Sequence, residues 1–159
     1  MSPASGSGAD GLTPEGVLAR IPQQEPFRFI DEILELGDSH IVAAYTFRPD
    51  LDFYRGHFPG RPITPGVILL EAMAQAGVVG LGIHILSREL GPAEAEKYTT
   101  LFTDAQIDFS GIVEPGSRVV TTGRKVFFRR LKLRSEVEMR LESGQVVCSG
   151  TISGMGVPR

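Results

Sequence analysis

Residues 49–90 read PDLDFYRGHFPGRPITPGVILLEAMAQAGVVGLGIHILSREL, and the fold turns on this stretch. Its first part, 49–65, holds Pro49, Gly56, Pro59, Gly60, Pro62 and Pro65. Prolines fix φ and remove donors while glycines permit tight turns, so regular structure cannot run through it. A cramped, ordered loop of this kind is a common place for function. Its second part, from Gly66, is apolar at almost every position and reads as one long helix, which Gly91-Pro92 ends. The segment from Gly66 to Leu86 is also the one candidate membrane span. Glu71, Gln75 and His84 lie inside it, and a charge near the middle of a span is costly in lipid, so we read a core helix. Gly77, Gly80 and Gly82 would each weaken an exposed helix by about 1 kcal/mol relative to Ala. Their expected role is close packing of the helix against a sheet.

On either side of this stretch the pattern is β. Phe27 to Leu36 reads as a strand, Gly37-Asp38-Ser39 as a turn, and Ile41 to Phe47 as the returning strand. Beyond Gly91-Pro92, strands are expected over Thr99–Phe109, Arg118–Phe128, Leu131–Leu141 and Gln145–Ser153, with turns at Glu114-Pro115-Gly116-Ser117 and Glu142-Ser143-Gly144. Leu131, Leu133, Ser135, Val137, Met139 and Leu141 alternate with Lys132, Arg134, Glu136, Glu138 and Arg140. That is a half-buried antiparallel strand. Thr13 can cap a short helix with Pro14 at its first position, running to Arg20. The fold class is α+β, a sheet with one long helix on one face.

The chain has 159 residues, 42% hydrophobic and 22% charged, which suits one folded domain over 13–159. Residues 1–12 are rich in Ser, Gly and Ala and read as a disordered tail. They have neither the basic start nor the apolar run of a signal peptide. A net charge of −3 argues against a general nucleic-acid binder. One cysteine, Cys148, excludes an internal disulfide and fits a cytoplasmic protein. It lies in the apolar run Val146-Val147-Cys148 and reads as a small buried hydrophobe.

Two residues stand out chemically. His57 lies in the rigid loop, and Glu71 lies among Leu, Ala and Met about one and a half turns into the helix. A carboxylate in such company is uncommon unless paired or functional. Gln75, four residues on, shares its face and could bond to it. Imidazole accepts a proton near neutral pH, and a carboxyl in apolar surroundings tends to keep one. Gly66 opens the helix, where N–H groups without internal partners suit an oxygen gaining negative charge. Base, acid and oxyanion donor together suit removal of a proton next to a carbonyl.

These residues resemble a known family. Gly56-His57-Phe58-Pro59-Gly60, Pro65-Gly66-Val67 and Glu71-Ala72-Met73-Ala74-Gln75 are similar to the signature of the bacterial 3-hydroxyacyl-[acyl-carrier-protein] dehydratases. Pro26-Phe27, Asp31, Phe109, Pro115-Gly116 and Val146-Val147-Cys148 also match its pattern, so the likeness runs from about Leu18 to Ile152. It implies the hot-dog fold, a curved antiparallel sheet wrapped around a long central helix. It also implies His57 and Glu71 as catalytic pair, one from each subunit of a homodimer that could assemble further as a trimer of dimers. Gly66 would donate to the thioester carbonyl, with Phe58, Pro65 and Gln75 in support. Glutamate at 71 resembles the branch that dehydrates without isomerising.

The likeness further implies no cofactor of the enzyme's own, because phosphopantetheine belongs to the carrier. His40, His57, His84 and Cys148 lack metal-ligand spacing, so no metal is expected. Arg118, Arg124, Lys125, Arg129, Arg130, Lys132 and Arg134 concentrate positive charge. They read either as a solvated strand face or as a docking surface for acidic acyl carrier protein, with Arg129, Arg130 and Lys132 the preferred residues. The chain departs from the family at Pro22-Gln23-Gln24-Glu25-Pro26, Arg28, Glu32, Ala105 and Ser110-Gly111, which leaves fatty-acid and polyketide-type pathways both open. A hot-dog thioesterase and a non-catalytic acyl-carrier-binding subunit are the alternative functions.

Overall fold

The alternation in Leu131–Leu141 becomes the centre of the sheet in the computed structural model, which describes residues 12–159. The expected tail, 1–12, lies outside the described residues except for Leu12. Helix α1 is Pro14–Arg20, and the Thr13 hydroxyl accepts the Gly16 N–H at 3.0 Å as its cap. Strands β1 (Glu32–Leu36) and β2 (His40–Thr46) form the first hairpin. A 3₁₀ turn, Asp52–Arg55, interrupts the Pro/Gly loop. Helix α2 runs Gly66–Leu90, followed by the short α3, Pro92–Ala95. The chain closes with β3 (Tyr98–Phe109), β4 (Arg118–Arg129), β5 (Lys132–Leu141) and β6 (Val146–Pro158).

All pairings are antiparallel, in the order β1-β2-β4-β5-β6-β3. Register shifts interrupt β1–β2, β3–β6, β4–β5 and β5–β6. Bulges of this kind bend strands and increase local twist, which lets the sheet curve round a helix. The inner face of the sheet and α2 make the core: Met73, Val78, Val137, Met139, Val147, Cys148 and Ile152 are all buried. This is the expected α+β hot-dog architecture. Helix α2 has the length and composition to cross a membrane, but most of that stretch is buried in the fold.

Small residues bring helix and sheet together. A Cβ on Gly123 would stand 2.7 Å from the Gly77 Cα, and one on Gly154 would stand 2.6 Å from Val78 Cγ1. Gly80 is similarly tight against Ile41 at 3.1 Å, whereas Gly82 has only ordinary contact at 3.7 Å. Gly77 and Gly80 therefore have the packing role expected of them, and Gly82 has room to spare. The far end of α2 is tied to the first hairpin, because Asp38 accepts from His84 Nε2 at 3.0 Å and pairs with Arg88 at 3.5 Å.

Three expectations need correction. The first strand does not begin at Phe27 but at Glu32, because the Phe27 carbonyl and the Phe29 N–H are bonded to the Gln75 side chain instead of a neighbouring strand. Strand β6 continues past Ser153 to Pro158, since the long β3 offers it partners as far as Tyr98. Helix α2 is not uniform: Gln75–Gly80 forms a π turn between Gly66–Ala74 and Leu81–Leu90.

Candidate active site

The loop holds His57 from several directions. The His57 N–H donates to Phe53 O at 3.1 Å, and the Ile63 N–H donates to His57 O at 2.9 Å. Phe58 and Arg61 exchange backbone bonds at 3.0 and 2.9 Å, and the His57–Phe58 peptide is cis. Below them the buried Tyr54 and Thr64 hydroxyls are bonded at 2.5 Å, and the Thr64 N–H donates to Val113 O. Much of the backbone on either side of His57 is thus satisfied within the loop, as a segment short of secondary structure requires.

The imidazole Nδ1 lies 2.9 Å from Ile63 O. A carbonyl only accepts, so Nδ1 carries the proton and Nε2 is left as the basic nitrogen. The Phe58 ring stacks on the imidazole with centroids 4.0 Å apart and further limits its rotation.

Glu71 is half-buried on α2. Burial among apolar neighbours raises its pKa above the ordinary carboxylate range, and a hydrogen bond from Gln75 acts against that rise. Gln75 is fully buried and satisfies its amide completely. Its Nε2 donates to Glu71 Oε1 at 2.9 Å and to Phe27 O at 2.8 Å, while its Oε1 accepts the Phe29 N–H at 2.8 Å. Because Oε1 of Glu71 already accepts a bond, a proton on this carboxyl belongs on Oε2.

Pro65 sits at the N-cap of α2 and offers no side-chain acceptor. Its carbonyl takes the Ile68 and Leu69 N–H groups, which leaves the Gly66 and Val67 donors without a described protein partner. The first turn of a helix is partly positive, so these donors suit a developing oxyanion. A Cβ at Gly66 would meet the Phe109 ring at 3.2 Å. The start of α2 is therefore flanked by the end of the edge strand β3.

Among the described residues no hydrogen bond links His57 to Glu71, and neither lines a described cavity. Around the start of α2, Phe58, Val67, Phe109 and Ile112 are exposed apolar side chains, Val67 at 73%. Strand β3 is paired on one side only, with β6.

The basic cluster is partly neutralised. Lys132 and Arg134 both pair with Asp104, at 3.5 and 3.3 Å, and Arg118 pairs with Glu32 at 3.2 Å. Arg129 and Arg130 are exposed at the β4–β5 hairpin, where Arg129 lies over the Phe127 ring. Arg130 and Leu131 both have positive φ, so the hairpin closes with a two-residue turn in which they are the central pair. Cys148 is fully buried 3.7 Å from the Met73 sulfur, and burial pushes its thiol up to about 12, which rules out a ready thiolate.

Sequence reasoning missed the Ile63 carbonyl that orients His57, since a backbone acceptor leaves no signature. It also missed the Tyr54–Thr64 pair and the capture of Phe27 and Phe29 by Gln75. For Gln75 a signal existed: an uncharged polar residue one turn from a buried carboxyl, in a helix otherwise apolar.

A sheet wrapped round a helix that presents a carboxyl and a bare N-terminus, beside a loop that presents a histidine, defines a hot-dog domain equipped for acid–base chemistry. The chain belongs to the FabA-like domain family, which it matches over residues 21–152. It is 33% identical over 138 residues to the 3-hydroxyacyl-[acyl-carrier-protein] dehydratase FabZ of Streptococcus pyogenes serotype M3, covering 86% of this chain and 93% of that protein. The FabZ of serotype M1 is equally similar, at 33% over the same length. Among solved structures, the dehydratase heterocomplex ApeI:P from Xenorhabdus doucetiae superposes with a TM-score of 0.74 at 17% identity, over 93% of each chain. A thioesterase from Haemophilus influenzae superposes at 0.66 with 16% identity, over 92% of each chain. At such identities these two structures speak for the fold.

Proposed function

We propose that this protein dehydrates 3-hydroxyacyl groups held as thioesters on acyl carrier protein, giving trans-2-enoyl thioesters and water. The observation that carries the reading is the contrast between its two reactive groups. His57 is fixed with Nε2 as a proton acceptor, and Glu71 is pushed by burial toward keeping a proton. Groups of opposite proton demand are what acid–base elimination needs. The similarity to FabZ over most of the chain supplies the substrate class.

In the proposed step His57 Nε2 takes the proton from the carbon next to the thioester carbonyl. The Gly66 N–H stabilises the enolate-like oxygen. The electron pair then forms the double bond while the C–O bond to the 3-hydroxyl breaks, and Glu71 gives its proton to the leaving oxygen. The histidine returns its proton to the carboxylate through solvent, which resets the site. Pro65 presents the Gly66 donor, Phe58 limits imidazole rotation and Gln75 directs the Glu71 proton. The enzyme needs neither a metal nor a cofactor of its own for this step. Glutamate at 71 supports a reaction that stops at dehydration, without isomerising the double bond.

The pair comes from two subunits, so the protein acts as a homodimer, with a trimer of dimers as a further assembly. The unpaired edge of β3 and the exposed apolar residues at the start of α2 support this reading. Arg129 and Arg130 dock the acidic carrier, and Lys132 contributes less because Asp104 already holds it. A reaction in the cytoplasm accords with a single buried cysteine.

The test is a mass-spectrometric turnover assay with 3-hydroxyacyl carriers, using the unaltered protein and co-expressed His57→Ala and Glu71→Gln chains. Enoyl product from the unaltered protein, loss in each variant alone and recovery in the mixed dimers are expected. Free acid and free thiol would make the protein a thioesterase. Carrier binding without turnover would make it a non-catalytic subunit. No recovery in proven mixed dimers would place both groups in one chain.

A further inference from the structure

We propose that Ser135 is a positioning residue for the acyl chain: its hydroxyl holds the π turn of α2, which keeps Val79 and Ile83 on the helix face that carries Glu71 and Gln75. The inference rests on the dehydratase reading for what enters the site, and on geometry alone for the rest.

Ser135 lies at the centre of the sheet on β5, fully buried, and faces α2. Its Oγ donates to Gly77 O at 2.7 Å, inside the π turn Gln75–Gly80. At the end of that turn the Leu81 N–H reaches back to Ala76 O, five residues earlier. Side chains that insert donors into a helix ladder are a recognised cause of such local irregularity. Glycines make the contact feasible, because Gly77 and Gly123 let helix and sheet backbones meet.

The turn changes which residues line up. At about 100° per residue, Val79 and Ile83 in an unbroken α-helix would stand roughly 80° and 120° round from Glu71. A π turn takes up one extra residue without advancing the face. Val79 then falls at about −20° and Ile83 at about +20°, in line with Glu71 and with Gln75 at about +40°.

That line leads into a cavity of about 470 Å³ lined by Val79, Ile83, Ile21, Gln24, Tyr98 and Thr100, among others. The rim joins the acid through Gln24, whose carbonyl accepts the Phe27 N–H at 2.7 Å, and through the Phe27 carbonyl bonded to Gln75. With one residue taken up by the π turn, Val79 lies about 10 Å along the axis from Glu71. A four-carbon chain reacting at Glu71 ends short of it, and a twelve-carbon chain reaches it. The π turn therefore governs where a long acyl tail lies and leaves a short one indifferent.

The experiment compares 3-hydroxybutyryl- and 3-hydroxydodecanoyl-pantetheine as substrates of the unaltered protein, Ser135→Ala and Ser135→Cys, with a crystal structure of the alanine variant. Ser135→Ala should lower kcat/KM on the long substrate about tenfold or more, on the scale of lost pocket contacts, and leave the short one within about twofold. Ser135→Cys keeps a weak donor of similar size and should fall between, so it serves if the alanine variant fails to fold. The crystal structure should show the π turn relaxed and Val79 rotated from the Glu71 face. Equal losses on both substrates, or a π turn that survives the alanine substitution, would overturn the inference while the dehydratase reading stands. If the unaltered protein dehydrates neither substrate, the reading itself fails, and persistence or loss of the turn in Ser135→Ala decides the geometric claim.

Discussion

Removing the Gln75 amide should cost stability and shift the pH dependence of turnover in a predictable direction. Gln75→Leu keeps an apolar side chain of similar reach but strands three partners: the Phe29 N–H, the Phe27 carbonyl and Glu71 Oε1. Phe29 is buried, so its N–H has no route to water, whereas Phe27 is exposed and its carbonyl can be hydrated in part. A stranded buried group costs about 1–3 kcal/mol, so the sum is roughly 2–4 kcal/mol. At about 2–4 °C per kcal/mol for a domain of this size, the melting temperature should fall by about 4–16 °C. The lost bond to Glu71 is the one that lowers the pKa of that carboxyl, so the pKa climbs further once burial acts alone. An acid must hold its proton to donate it, and activity fades as pH rises through its pKa. The alkaline limb of the kcat profile should therefore move to higher pH in Gln75→Leu. Circular dichroism melts and a kcat–pH profile on a pantetheine substrate read both effects. A variant with the parent melting temperature, or one whose alkaline limb moves down, would refute the role assigned to Gln75.

Three further outcomes are expected. Glu71→Gln should lower turnover by at least about a hundredfold yet stabilise the fold at neutral pH. Burial raises the pKa only in the folded state, so stability falls as pH climbs above 4.5, the ordinary glutamate value, and the variant escapes that loss. Melts across this range should show a gap in favour of Gln that closes in acid, and a gap in favour of Glu at neutral pH would contradict it. Reversing Arg129 and Arg130 to Glu should slow use of carrier-linked substrate, more so at low salt, and spare a pantetheine substrate; equal losses on both would make them supports of the fold. Tyr45→Phe should hold or raise stability, because the hydroxyl is buried with no described partner, and a loss above about 2 kcal/mol in chemical denaturation would mean that it has one.

Much of this architecture was legible because period and punctuation speak locally. Leu131–Leu141 alternates, and β5 takes up that stretch from Lys132; Gly91-Pro92 ends α2 where a positive-φ glycine and a proline must. The failures share one physical cause, side chains that replace backbone partners at a distance. Nothing near Phe27 announces that its carbonyl is taken by a glutamine 48 residues on, so its alternation looked like a strand. Nothing in the run Gln75–Gly80 announces a π turn, because the donor that accompanies it sits on β5. For the candidate site, residue types and order were enough to propose His57, Gly66, Glu71 and Gln75 as its members. The tautomer of His57 was not, since it depends on the Ile63 carbonyl.

The position of Glu71 links the proposed chemistry to the proposed assembly. In a single chain the carboxyl is only half-buried, and the ground beside it at the start of α2 is open and apolar. Desolvation disfavours the charged form of a carboxyl in proportion to how fully water is removed. A second chain seated on the β3 edge would cover Phe109 and the Gly66 turn that it flanks, and a contact reaching one turn further along α2 would exclude water from Glu71 as well. The same step would expose the Gly66 donor to a lower dielectric, where a hydrogen bond to a developing oxyanion is stronger. Dimerisation would then do more than deliver a histidine to a glutamate. It would raise the proton affinity of Glu71 beyond what burial in one chain achieves and strengthen the oxyanion donor at once, so a dissociated chain would hold a more weakly tuned acid and no partner histidine beside it.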